Sequence, residues 1–134
     1  MFRTIAVVSL LAGMSLYGQA TKGAWWSRPV IKDLNLSRDQ MRQMRSTVQE
    51  YRPKLQDLRA AVQRAEDDLE AEFNRDPVDQ QKVNAVIDRL VAARSDLSRT
   101  LSQMGLKLRM VLTVQQWQEV EKRFPPKNRP PNAN

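Results

Sequence analysis

The sequence predicts an all-α fold: a long antiparallel helical hairpin with short flanking helices at its N- and C-terminal ends. Two observations carry this expectation. Two segments of about 30 residues each repeat apolar side chains at alternating steps of three and four, the mark of a helix with one buried seam. A tight polar turn, Asn74-Arg75-Asp76-Pro77, separates them. A third observation fixes the helix starts. The pattern L-[S/T]-x-x-Q occurs twice, as Leu36-Ser37-Arg38-Asp39-Gln40 and Leu112-Thr113-Val114-Gln115-Gln116. Ser37 or Thr113 as N-cap accepts from the backbone N–H three residues on, and Gln40 or Gln116 reaches back to the cap's own N–H. Leu36 with Met41, and Leu112 with Trp117, stand where hydrophobic staples would form.

Residues 1–20 have the layout of a secretory signal peptide. One cation, Arg3, precedes an apolar run over 5–17, and Gly18-Gln19-Ala20 closes it with small residues at the cleavage positions. The run falls short of the roughly 20 residues that a membrane span needs. An uncleaved N-terminal anchor is the alternative. Residues 21–35 form an N-terminal arm with Trp25, Trp26 and one helical turn near 30–34. Adjacent tryptophans cannot share a helix face, so one is expected to pack and the other to stay partly exposed.

The domain proper is expected over 36–124. Its first long helix, 37–73, has the seam Met41, Met44, Val48, Tyr51, Leu55, Leu58, Val62, Ala65, Leu69. Pro53 interrupts it and should bend it, because proline removes one helical N–H. Such a helix would reach roughly 55 Å and make the molecule elongated. In the turn, Asp76 suits an N-cap and Pro77 the first helical position. The second helix then runs to about 110, with the seam Val83, Ile87, Leu90, Arg94, Leu97, Leu101, Met104, Leu108, Val111. A third helix is expected over 114–123, stopped by Phe124-Pro125-Pro126. The Pro/Asn-rich tail, 125–134, should be disordered. A single hairpin has a thin core, so a homodimer is expected.

The chemistry open to this chain is narrow. It has no cysteine and no histidine. That excludes a disulfide framework, thiolate metal sites and the Ser-His or Cys-His nucleophile pairs. The four glycines do not cluster into a phosphate loop. The expectation is a non-enzyme with no cofactor, no metal site and no nucleic-acid partner. After signal removal no stable membrane insertion is expected. The mature chain would carry a net charge of +6. For an exported protein, anionic envelope lipid or acidic and unfolded protein is the natural counterpart.

Four features qualify as candidate sites. Arg38, Arg45, Arg52 and Arg59 recur every seven residues beside the seam, and Arg42 adds to the same end. Such a row either pairs with acids on a neighbouring helix or grips flexible, partly acidic polypeptide. Trp25 and Trp26 are candidate client contacts, or else a lid on the bundle. Among the acids Glu66, Asp67, Asp68, Glu70 and Glu72, the i, i+4 pairs Glu66/Glu70 and Asp68/Glu72 would either grip a hard cation weakly or form a solvated face partnered by Arg64, Arg75 and neighbours. Met41, Met44, Met104 and Met110 have soft sulfur but stand at seam spacing, which favours core. Arg94, on the second seam itself, should find a carboxylate or carbonyl partner.

An export signal, a Trp-Trp arm and two L-[S/T]-x-x-Q boxes flanking a long hairpin together resemble the Spy/CpxP family, with its periplasmic heavy-metal-sensor and zinc-resistance-associated relatives. Residues 108–117 look especially like the family's second box, and the resemblance covers roughly 25–124. It implies a periplasmic, antiparallel, cradle-shaped homodimer. It further implies an ATP-independent chaperone or envelope-stress adaptor that binds unfolded or envelope proteins. The alternatives are a periplasmic heavy-metal sensor or resistance protein, and a purely structural envelope protein. Sensing relatives use histidine, and often methionine or acids; this chain has no histidine.

Overall fold

The computed structural model describes residues 25, 26 and 28–123; the predicted signal peptide and tail lie outside them. The fold is all-α, with two long helices packed together. Four helices follow in order: α1, Arg28–Asp33; α2, Arg38–Phe73; α3, Gln80–Val111; α4, Val114–Arg123. Among the described residues no helix is long and apolar enough to cross a membrane. The chain divides into two compact units. In its described part, the first comprises 25–46 and 105–123, and the second comprises 47–104.

The first unit gathers α1, the start of α2, the end of α3, and α4. Its core is Trp25, Val30, Leu34, Met44, Leu108, Leu112 and Val120, with Leu108 fully enclosed. The short α1 ends where Leu34 N–H donates to the Ile31 carbonyl. Asn35 follows at φ 50°, in the left-handed region that asparagine tolerates better than most residues. That reversal delivers Leu36 and Ser37 to the start of α2. Trp25 is buried and Trp26 half-exposed. The Trp25 ring meets Trp26 edge-on at 5.7 Å and Trp117 edge-on at 5.5 Å, the arrangement that aromatic quadrupoles prefer. Arg109 lies 5.0 Å over the Trp117 ring and donates to the Leu112 carbonyl at 3.4 Å, partnering an acceptor just past the end of α3. An ion pair of 2.6 Å joins Arg123 of α4 to Asp33 of α1.

The second unit is the two-helix body. Leu55, Val62 and Ala65 of α2 are buried, as are Val83, Leu90, Ala93, Leu97, Thr100 and Met104 of α3. Ala93 and Thr100 belong to the core although neither stands on the predicted seam: three-and-four spacing marks the centre of a buried stripe, and small flanking residues fill the space where two backbones approach. Polar cross-links fix the antiparallel register. Arg94 on the seam reaches Glu66 at 3.0 Å with both side chains partly shielded, and Arg89 pairs with Asp68. The helix α2 continues through Pro53, which is exposed.

The turn corrects one expectation. Asp76 and Pro77 do not begin α3. Both are exposed in the connection, joined by a cis peptide bond. The N-cap is Asp79: its carboxylate accepts from Lys82 N–H at 3.2 Å, and its carbonyl accepts from Val83 N–H at 3.0 Å. A cap must stand one turn ahead of the first buried position, and that position is Val83. Two seam assignments also fail in part. Met41 and Ile87 are exposed, because each lies at a flank of its stripe.

Gly105 sits inside α3, and a Cβ there would meet the Trp26 ring at 3.5 Å, an ordinary contact. Glycine in a helix interior costs about 0.5–1 kcal/mol relative to alanine. Gly105→Ala is therefore expected to stabilise the protein by about that much, read as a higher urea midpoint at unchanged m-value. A lower midpoint would mean that the Trp26 contact cannot take the extra methyl.

Candidate functional site

Both repeated boxes form the reciprocal bonds their residues allow. In the first, Gln40 N–H donates to Ser37 Oγ at 3.1 Å, and Ser37 N–H donates to Gln40 Oε1 at 2.9 Å. In the second, Gln116 N–H donates to Thr113 Oγ1 at 3.2 Å, and Thr113 N–H donates to Gln116 Oε1 at 2.9 Å. Each box thereby satisfies orphan N–H groups at its helix start.

The sequence gives no hint of what the same two amides do next. Gln40 Nε2 donates to Gln116 Oε1 at 2.7 Å, and Gln116 Nε2 donates to Gln40 Oε1 at 3.1 Å. The remaining amide hydrogens go to main-chain carbonyls: Gln40 to Val111 at 3.0 Å, Gln116 to Leu34 at 3.3 Å. Every donor and acceptor that a glutamine amide possesses is used, in both residues. The two boxes are one junction. It joins the start of α2, the end of α3, the start of α4 and the end of the arm. The only sequence signal was the repetition itself: two copies of a pattern, 76 residues apart, with nothing to say that they meet.

Around this junction the boxes differ. Leu112 is buried and Trp117 half-buried, whereas Leu36 is half-buried and Met41 exposed. The first box thus leaves an open depression of about 400 Å³ lined by Leu36, Arg38, Met41, Arg42 and Arg45. Arg42 pairs with Asp39 at 3.3 Å, both largely in solvent. Arg38 and Arg45 have no ion-pair partner among the described residues. In the second unit Arg52 and Arg59 are likewise exposed and unpaired among the described residues. Intrachain salt bridges therefore do not account for this row.

Other candidates sort differently. Trp25 is a core residue of the first unit, not an accessible client contact, because the arm folds back and buries its ring against Trp117. Trp26 keeps an exposed part. Met44 and Met104 are core, but Met110 is 76% exposed, on the side of α3 away from its buried stripe. Three of the five acids are held by cations: Glu66 by Arg94, Asp68 by Arg89, and Glu72 by Arg75 at 3.3 Å. The Glu72 pair lacks hydrogen-bond alignment, and its shielded Oε2 accepts no bond. Among the described residues no three His, Cys, Asp or Glu side chains gather as a metal site. At the end of α4, Lys122 donates to Glu119 at 2.8 Å and holds that carboxyl below its ordinary range.

A family model described as heavy-metal resistance matches residues 4–119. Neither a curated protein nor a solved structure matches the chain.

The junction makes a double-mutant prediction. Gln40→Ala and Gln116→Ala should each cost about 1–3 kcal/mol, since each strands partners in a shielded site. The double variant should cost less than the sum, with a coupling of about 0.5–3 kcal/mol. Ser37→Ala and Thr113→Ala, which touch only the caps, should each cost about 0.5–2 kcal/mol. Urea unfolding of the set is the measurement. Additive glutamine effects would mean that the amides do not work as a pair.

Proposed function

The chain belongs to the heavy-metal resistance family, and on that premise we propose that it is an exported, non-enzymatic protein that protects other proteins rather than capturing metal. In this reading it is an ATP-independent chaperone or envelope-stress adaptor, acting as a homodimer. It grips unfolded or partly acidic polypeptide on basic surfaces of α2. The observation that carries the reading is the set Arg38, Arg45, Arg52 and Arg59, exposed and without an ion pair among the described residues. Arginine suits such a surface: its stem covers apolar groups while its planar head forks onto carboxylates or stacks on rings. Trp26 and Met41 add exposed apolar area.

Metal capture by the chain itself is the second reading, and the family description favours it. The absence of histidine and cysteine weighs against tight zinc or nickel binding. The exposed thioethers of Met41 and Met110 would suit only a soft ion such as Cu(I).

Purified protein is expected to suppress aggregation of a chemically unfolded client without ATP. Charge reversal at Arg45, Arg52 and Arg59 to Glu should abolish this while helicity and oligomeric state persist. Added salt should weaken it, because exposed charges are screened within about 8 Å at physiological ionic strength. Unimpaired protection by the folded variant would remove the arginines from the mechanism. Absence of any protection would favour a structural role. Calorimetry with zinc, nickel and Cu(I) separates the second reading: a stoichiometric sub-micromolar site would place metal capture first.

A further inference from the structure

Charge is distributed unevenly between the two units. In its described part the first unit has nine basic and four acidic residues, a formal +5. The second has nine basic and eleven acidic, a formal −2. The chain's positive balance thus belongs to the unit that contains the amide junction. The same unit carries four exposed large apolar residues: Met41, Leu106, Met110 and Val114. Leu106 and Met110 are neighbours at i, i+4 on α3 and are 61% and 76% exposed. Arg38, Arg42 and Arg45 rim the depression whose floor includes Leu36 and Met41.

We propose that this basic face at the start of α2 docks the protein onto a bilayer surface rich in anionic phospholipid. The pairing of these cations with Leu36 and the exposed Met41 is what an interfacial contact needs. The cations meet headgroup phosphates, and the apolar groups reach the acyl boundary just beneath. Three arginines within two helical turns present their heads to one surface, and each guanidinium can fork onto a phosphate. The depression is open, as contact with a continuous layer of headgroups requires. Charge complementarity points the same way, since the attraction resides in one unit and the other is weakly acidic. The docking shares Arg38 and Arg45 with the client surface proposed above, and its test is made without any client.

Vesicle flotation of the purified protein is the test, with phosphatidylcholine vesicles made with and without phosphatidylglycerol. Binding is expected only where phosphatidylglycerol is present, and it should fall as salt rises. Replacing Arg38, Arg42 and Arg45 together by Gln should weaken it about a hundredfold, from about fivefold per cation at a charged surface. Circular dichroism checks that this variant keeps its helices. Asp39→Asn gives an independent arm that misfolding cannot mimic. It removes the one carboxylate beside Arg42 and should tighten binding about fivefold. Met41→Gln tests the apolar contact, and should weaken binding without changing its salt dependence. The proposal is overturned by no flotation with anionic vesicles, by equal flotation with neutral ones, or by unchanged binding of the folded triple variant. It is equally overturned if polyglutamate binds at the three arginines while vesicles do not, which would assign the face to acidic polypeptide.

Discussion

The exchange of hydrogen bonds between Gln40 and Gln116 is the constraint on which the first unit depends. A glutamine amide has two donors and two acceptor sites, and each of these is occupied. A partly shielded amide with an unmet group would cost about 1–3 kcal/mol, so neither residue can turn away without stranding the other. The pair therefore holds four points of the chain at once. It ties the Val111 carbonyl at the end of α3, the Leu34 carbonyl before the left-handed Asn35, and both N-caps. Aromatic packing completes the arrangement from the apolar side. Trp25 wedges against Trp117, and Trp117 carries Arg109 across its face. The polar junction fixes geometry, and the ring cluster with Leu108 and Val120 supplies burial.

The second unit is held by different means. Two helices meeting along one seam bury few side chains, and much of each helix stays in water. Its specificity comes from charged cross-links. Arg94 stands where an apolar residue would pack better, yet Glu66 meets it on the facing helix. Such a pair adds little net stability when partly exposed. It does tie Arg94 of α3 to Glu66 of α2 in the observed register. Arg89 with Asp68 repeats the device nearer the turn. The acids that resembled a weak cation site are thus largely occupied within the fold. Arg38, Arg45, Arg52 and Arg59 of α2 have no ion-pair partner among the described residues, and this asymmetry leaves their charge open to a partner outside the chain.

Family membership and residue chemistry pull in different directions here. The family is described by heavy-metal resistance, but the chain lacks the nitrogen and thiolate ligands that would make a tight transition-metal site. The two are compatible if resistance is exercised on proteins that metal stress damages. A basic, partly apolar surface can act on such proteins, or on the anionic surface beside them, without any ligand cage.

The sequence by itself determined the helices. Heptad spacing located both seams, because burial on one side of a helix imposes a period near 3.5. The Ser-x-x-Gln and Thr-x-x-Gln boxes located two helix starts, because capping is local and its partners lie three residues apart. The lack of histidine and cysteine limited the chemistry for the same reason: it is composition, not arrangement. Other features needed the tertiary structure. Whether Asp76 or Asp79 caps α3 depends on which position is first buried. Whether Trp25 or Trp26 packs depends on where the arm lands. Met110 is at helical spacing yet points to solvent. Above all, the meeting of Gln40 with Gln116 could not be read from the chain. An amide bonds whatever donor and acceptor stand within about 3 Å, and only the folded backbone brings together residues 76 positions apart.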